Sequence, residues 1–186
     1  QVGVETGSAT LINKYMKGKV KPFKPNEWVD IVVQGNQILK DNHWIPIETL
    51  ILGLPGETPS DVLNTIELLD ELAHFKSLIV PLFFVPIGNL KENTWFNKTK
   101  CLAEHWELLA ISIKHTINWS YRIIEEDTVN EINGIKKWIL KRIIKTMENK
   151  MNPYLKLMEN GINPLEKKET KKYFPFQGIF KNGHKF

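Results

Sequence analysis

Apolar and polar positions follow two different rhythms along this chain, and the change falls near residue 97. In the first half, short apolar strands are separated by amphipathic helices. Val2 and Val4 lie in an opening strand. Ser8 is placed to cap a short helix in which Leu11, Ile12, Tyr15 and Met16 fall at helical spacing, and Gly18 can end it. A Lys/Pro linker, Lys19 to Pro25, leads to Asn26, the expected cap of a second helix. The stripe of that helix is Trp28, Ile31, Val32, Gly35, Ile38 and Leu39. Thr49 to Leu52 is an uninterrupted apolar strand, as expected where a parallel sheet is covered on both faces.

Gly53-Leu54-Pro55-Gly56 then forms a turn. Thr58 caps the next helix, with Pro59 at its first position and Asp61 in its first turn. Val62, Ile66, Leu69, Leu72 and Phe75 face the sheet, and Leu78 to Val85 is the following strand. Strand, helix, strand, helix, strand at this spacing predicts right-handed parallel βαβ units. Pro81 has no N–H to give to a ladder, so the sheet is expected to end at its strand. With the opening strand unpaired as well, both edges are expected to be bare.

The second half reads as helix only. Leu102, Trp106, Leu109, Ile113 and Ile117 make one long stripe. A helix near Val129 to Lys150 carries Ile132, Ile135, Ile139, Ile143 and Met147 on one face, with Lys137, Lys141, Arg142 and Lys145 largely elsewhere. Asn152-Pro153 is expected to cap a short third helix that stops at Gly161. The remainder, from Ile162, has no sustained period and reads as a docked or partly disordered tail. The expected division is 1–96 for the strand-bearing part and 97–186 for the helical part with its basic tail.

Composition narrows the classes. A chain of 186 residues with 42% hydrophobic and 25% charged residues can bury one sizeable core. The longest apolar run, Ser77 to Gly88, is too short for a bilayer and is broken by two prolines, so no membrane span is expected. The single cysteine, Cys101, excludes a disulfide framework and any cysteine-based metal site within this chain alone, and a cytoplasmic setting is expected. Charge is uneven: residues 1–135 hold 12 Lys+Arg against 17 Asp+Glu, whereas 136–186 hold 13 against 4. Such a basic region suits nucleic acid, an acidic protein or a membrane surface, although a solvated or packed lysine face is the plainer reading.

Two turns are candidates for chemistry, because each follows the carboxyl end of a strand, where α/β folds place ligands. In Glu5-Thr6-Gly7-Ser8, Gly7 lets backbone approach a ligand and Glu5 can accept hydrogen bonds from a diol or an ammonium group. In Gly53-Leu54-Pro55-Gly56-Glu57-Thr58, the glycines free backbone groups to read a flat base. Taken singly, each turn is better explained by strand-to-helix geometry, with Ser8 and Thr58 as caps. Neither is a phosphate-binding loop, since no lysine follows Gly56.

Taken in order and spacing, GVETGS, TLILGLPGET and IVPLFFVP resemble the second half of a radical S-adenosylmethionine barrel, over about Gln1 to Gly88. They are most similar to its cobalamin-domain-associated and methylthiotransferase-like branch. The resemblance implies an α/β fold: strands four to six of a partial (β/α)6 barrel of TIM type, followed by a helical C-terminal region. It also implies that the chain begins inside a longer protein, whose missing N-terminal half completes the barrel. By the same resemblance, Glu5, Gly7 and Ser8 would face the ribose or methionyl part of S-adenosylmethionine. Gly53, Leu54, Pro55 and Gly56 would line the adenine, with Val80 and Phe83 nearby. The CxxxCxxC loop that holds the [4Fe–4S] cluster is absent, so its ligands would lie outside this chain, and Cys101 on a helix cannot replace them. In this family the cluster cleaves S-adenosylmethionine reductively and the resulting 5′-deoxyadenosyl radical takes hydrogen from the substrate. An electron donor is implied, and a cobalamin in the parent protein fits the branch. No catalytic residue is assigned; the substrate, a small molecule or an RNA, stays open.

The other residue classes have plainer readings. Trp28, Trp106 and Trp138 are expected in the core, and His43, His74, His105 and His115 on helix surfaces or packed. Glu125-Glu126-Asp127 reads as a solvated acidic turn. The competing function is a non-catalytic binding module whose basic helical region binds RNA or another anionic partner.

Overall fold

The computed structural model describes residues 1–91, 96, 100–126 and 134–165. Three short strands, β1 (Val2–Glu5), β2 (Ile47–Leu52) and β3 (Leu78–Phe83), form a parallel sheet in the order β1-β2-β3. The helices are α1 (Ala9–Tyr15), α2 (Lys17–Val20), α3 (Trp28–Asp41), α4 (Pro59–Leu72), α5 (Ala103–Glu126) and α6 (Gly134–Met158). The fold is thus mixed α/β, mostly helical around a small parallel sheet.

Local sequence explains why the helices start where they do. Ser8 caps α1 by accepting the N–H of Leu11. At α4, Thr58 accepts from the N–H of Asp61 while the Asp61 carboxylate accepts from the N–H of Thr58, and Pro59 occupies the first helical position. The core follows from strand alternation. Val4, Leu50, Leu52 and Ile79 face Val62, Ile66, Leu69, Leu72 and Phe75, with Trp28 and Val32 of α3 closing the layer. The opposite face of the sheet carries Ile47, Val80 and Leu82, which stay exposed.

Among the described residues β3 ends the sheet, as the proline argument expects. Its outer edge is not bare, however. Thr116 of α5 accepts the N–H of Ile79 and donates to its carbonyl, both at 2.9 Å, so a side chain takes the place of the next strand. At Ile79 this departs from the expectation of a bare edge.

Other departures have local causes. Gly18 lies inside α2 and does not end α1, which stops at Tyr15. Asn26 is not a cap: it sits in a 3-10 turn, Pro25–Glu27, and the Glu27 carboxylate accepts the N–H of Lys24 at 2.6 Å. Ile38 is exposed, whereas Asn36 is buried. Cys101 precedes α5 and is not on it; burial pushes its thiol up to about 11. Glu125 and Glu126 end α5 and are ion-paired, Glu125 with Lys137 and Lys141 and Glu126 with Lys76, so they are not a free acidic turn.

Pro153 does not start a third helix. It lies within α6, which runs on to Met158 and ends in a turn with Gly161 at φ 67°. Trp138 is exposed, unlike Trp28 and Trp106. Asp127, Val129, Ile132 and the tail after Leu165 lie outside the described residues. Among those described, no helix is long and apolar enough to cross a membrane.

Candidate functional site

The two glycine turns lie side by side, yet they do different things. In the first, Glu5 has a left-handed φ of 69° at a break in the β1–β2 register. Its carboxylate meets Lys19 Nζ at 2.6 Å. The three residues after it are sealed onto α4. Thr6 Oγ1 lies 3.1 Å from Thr65 Oγ1, and the Gly7 N–H donates to Thr65 Oγ1 at 2.9 Å. A Cβ at Gly7 would collide with the backbone of Asn64, so this glycine serves the close approach of a helix. Ser8 donates to Asp61 Oδ1 at 2.5 Å and is wholly buried. Burial alone would raise the Asp61 carboxyl. Hydrogen bonds from the Ser8 and Thr58 hydroxyls and the Thr58 N–H, with the Lys14 charge, hold it below its usual value. The Trp28 indole N–H adds a forked donation to the carbonyls of Val4 and Thr6.

The second turn is open. Gly53, Leu54, Pro55, Gly56 and Glu57 form one wall of a cleft of about 350 Å³. Phe96, Lys100, Leu102 and His105 form the other. Gly53 and Gly56 have φ of 82° and 80°, the left-handed region that glycine enters without cost. The Phe96 ring lies so close over Gly53 that a Cβ there would run into it.

Glu57 organises this site. Its Oε2 accepts the N–H of Gly53 at 2.5 Å and is 2.8 Å from His105 Nε2. The N–H of Leu102 donates to His105 Nδ1 at 3.0 Å, so Nδ1 is an acceptor and the ring proton sits on Nε2, donated to Glu57. Both side chains are almost wholly buried, at 5% and 2% exposure. One ring nitrogen of His105 thus holds the turn through Glu57, and the other holds the start of α5. The pair ties the two walls of the cleft to each other.

The turns are coupled through α1. Tyr15 donates its hydroxyl to the carbonyl of Pro55 at 2.5 Å, Lys14 Nζ donates to the same oxygen at 3.2 Å, and Leu11 packs with Leu54 and Phe84. Of the residues expected at a site, the cleft contains Gly53, Leu54, Pro55 and Gly56. Glu5, Gly7, Ser8, Val80 and Phe83 do not line it; the Phe83 ring stands 5.7 Å from that of Phe96. The wall from Phe96 to His105 and the role of Glu57 were not legible in the sequence. His105 is 48 residues from Glu57, and a lone histidine at the third position of a helix carries no recognisable spacing.

A second polar cluster lies at the other end of the sheet. Glu48, second residue of β2, is buried and accepts from Asn36 Nδ2 at 2.7 Å. Its Oε2 has no hydrogen-bond partner among the described residues, although Ser77 is near enough to favour the ionised form. Burial dominates and raises the Glu48 carboxyl above its usual value. Ser77 Oγ is also 3.0 Å from His115 Nε2, and burial lowers His115 to about 4. Neither Glu48 nor His115 lines the cleft.

Among the described residues no three His, Cys, Asp or Glu side chains are grouped as metal ligands would be. No protein-family model matches this chain, and no curated protein matches it either.

Proposed function

We propose that residues 1–96 are the second half of a radical S-adenosylmethionine barrel, strands four to six, and that the cleft receives the adenosine end of that cofactor. The observation that carries this reading is the cleft itself, at the carboxyl end of β2, walled by the backbone of Gly53 to Gly56 and by an aromatic ring. Two further features support it. One face of the sheet is left largely exposed at Ile47, Val80 and Leu82, as the inner face of an incomplete barrel would be. Glu5, at the end of the neighbouring strand, keeps a left-handed backbone that costs a non-glycine residue about 1–2 kcal/mol.

The residues fit the adenosine part of the cofactor: a flat base suits the glycine backbone and Phe96, and the Glu57–His105 pair keeps that wall fixed. They do not fit the [4Fe–4S] cluster, which takes three thiolates, so in this reading the cluster belongs to the missing half, with the electron donor and any cobalamin. The cluster and cofactor together supply the radical chemistry. This chain's own residues bind and orient. The substrate, a small molecule or an RNA, is met on the exposed sheet face.

Calorimetric titration of S-adenosylmethionine into the full-length parent, with its iron content measured, tests the reading. Glu5→Ala is expected to weaken binding by about 1–3 kcal/mol, the scale of a lost charged hydrogen bond, and to keep the iron. Gly53→Ala strikes Phe96 as well, so it is made in a Phe96→Ala background; affinity below that of Phe96→Ala alone is expected. Unchanged affinity in both comparisons overturns the proposal.

A further inference from the structure

The first four turns of α6 expose an apolar ridge. Ile135, Ile139, Ile143 and Met147 recur every four residues and are 73, 45, 50 and 59% exposed, with Trp138 beside them at 65%. The second part of the same helix behaves as a core helix: Tyr154, Leu155 and Met158 are buried against Trp106 and Ala110 of α5. Large apolar side chains standing in water along one line mark a docking surface.

Charge says what kind. Residues 134–150 hold six basic side chains and one acid, Glu148. Lys137 and Lys141 turn towards α5, where they pair with Glu125, and Lys145 pairs with Glu148. Arg142 and Lys150 are exposed and lie three or seven residues from members of the ridge, which places them along its sides. The chain's own tail is a poor occupant, because residues 166–186 carry six lysines against two glutamates and so share the sign of the helix.

From this placement we infer that α6 docks on an anionic lipid surface, with the Ile135–Met147 ridge and Trp138 sunk among the headgroups and Arg142 and Lys150 facing the lipid phosphates. An amphipathic helix with Lys/Arg flanks and a Trp on its apolar side binds at the interface plane without spanning it. The mode is peripheral, and salt weakens its electrostatic part. RNA is the less suitable anion, because the aliphatic ridge offers no stacking plane and Trp138 is a single ring where successive bases need a series.

Co-flotation of the whole chain with vesicles tests the inference, using equal parts phosphatidylcholine and phosphatidylglycerol beside phosphatidylcholine alone. Binding to the anionic vesicles is expected, with at least tenfold less to the neutral ones. The Ile139→Glu/Ile143→Glu variant alters only exposed positions and is expected to lose tenfold or more while its thermal transition is unchanged. Arg142→Glu/Lys150→Glu is expected to lose a similar amount on anionic vesicles, and full retention of binding by it would remove the electrostatic part of the inference. The inference falls if the unaltered chain does not float, or if the ridge variant floats as well as it does. It also falls if sedimentation shows that the ridge variant merely turns a dimer into a monomer.

Discussion

Helix α5 carries one histidine to each end of the sheet, and the two ends differ. At the carboxyl end, His105 donates to Glu57, and the pair forms part of the wall of a cleft. At the amino end, His115 meets Ser77 beside Glu48, away from that cleft. Each cluster joins a buried carboxyl group to an imidazole. What separates them is access and completeness: Glu57 Oε2 has two donors, whereas Glu48 Oε2 has none among the described residues. Access is what makes the carboxyl-end pair the candidate site, while its completed hydrogen bonds make it the more rigid of the two.

The sharpest way to break that contrast is to remove the amino-end ring. His115→Ala leaves a cavity and an orphaned Ser77 hydroxyl, and is expected to cost about 4 kcal/mol in urea unfolding. Ligand binding at the cleft should be unchanged once the protein is folded. A loss under 1 kcal/mol would mean that the amino end is looser than its burial implies.

Acid gives the next effect. His115, lowered to about 4, is held neutral when folded, while the unfolded chain takes up a proton near pH 6.5. Stability contributed by this group is therefore lost as pH falls from about 6.5 towards 4, on the order of 3 kcal/mol. Glu48 acts the other way, because its raised folded value lets the native state hold a proton above pH 4.5 and lose stability as pH rises. Denaturant midpoints across this range should show a shallower acid loss in His115→Gln and a steeper one in Glu48→Gln. Parallel curves for the two variants would overturn the assignment.

The smallest effect is expected from Glu48→Gln at neutral pH. An amide keeps the Asn36 hydrogen bond and removes a poorly partnered carboxylate, so a gain of about 1 kcal/mol is expected in the unfolding free energy. A loss would show that the carboxylate is needed as a charge.

The strands and the helices that cross between them were legible because their signals are local. The caps Ser8 and Thr58, the alternation around Leu50 and the proline in β3 each act within a few residues. The carboxyl-end turn was legible for the same reason, since Gly53 and Gly56 mark it directly. What the sequence hid is the contribution of distant partners. The stripe of α5 was assigned to one face, yet the helix is gripped from several sides, so His105, Ser112 and His115 are buried together with Trp106. The ridge of α6 has the period of a core helix, and periodicity cannot say whether a partner is present. Asn36 and Glu48 lie outside the apolar pattern on which the helix and strand were assigned, yet they pair with each other in the interior.

Thr116 has a consequence for how copies of this chain can join. At Ile79 the rim of β3 is taken by a hydroxyl, and on β1 Lys19 already holds the carbonyl of Gly3. A strand added at either place must first displace a hydrogen bond already made, which sets a cost on joining copies through their sheets.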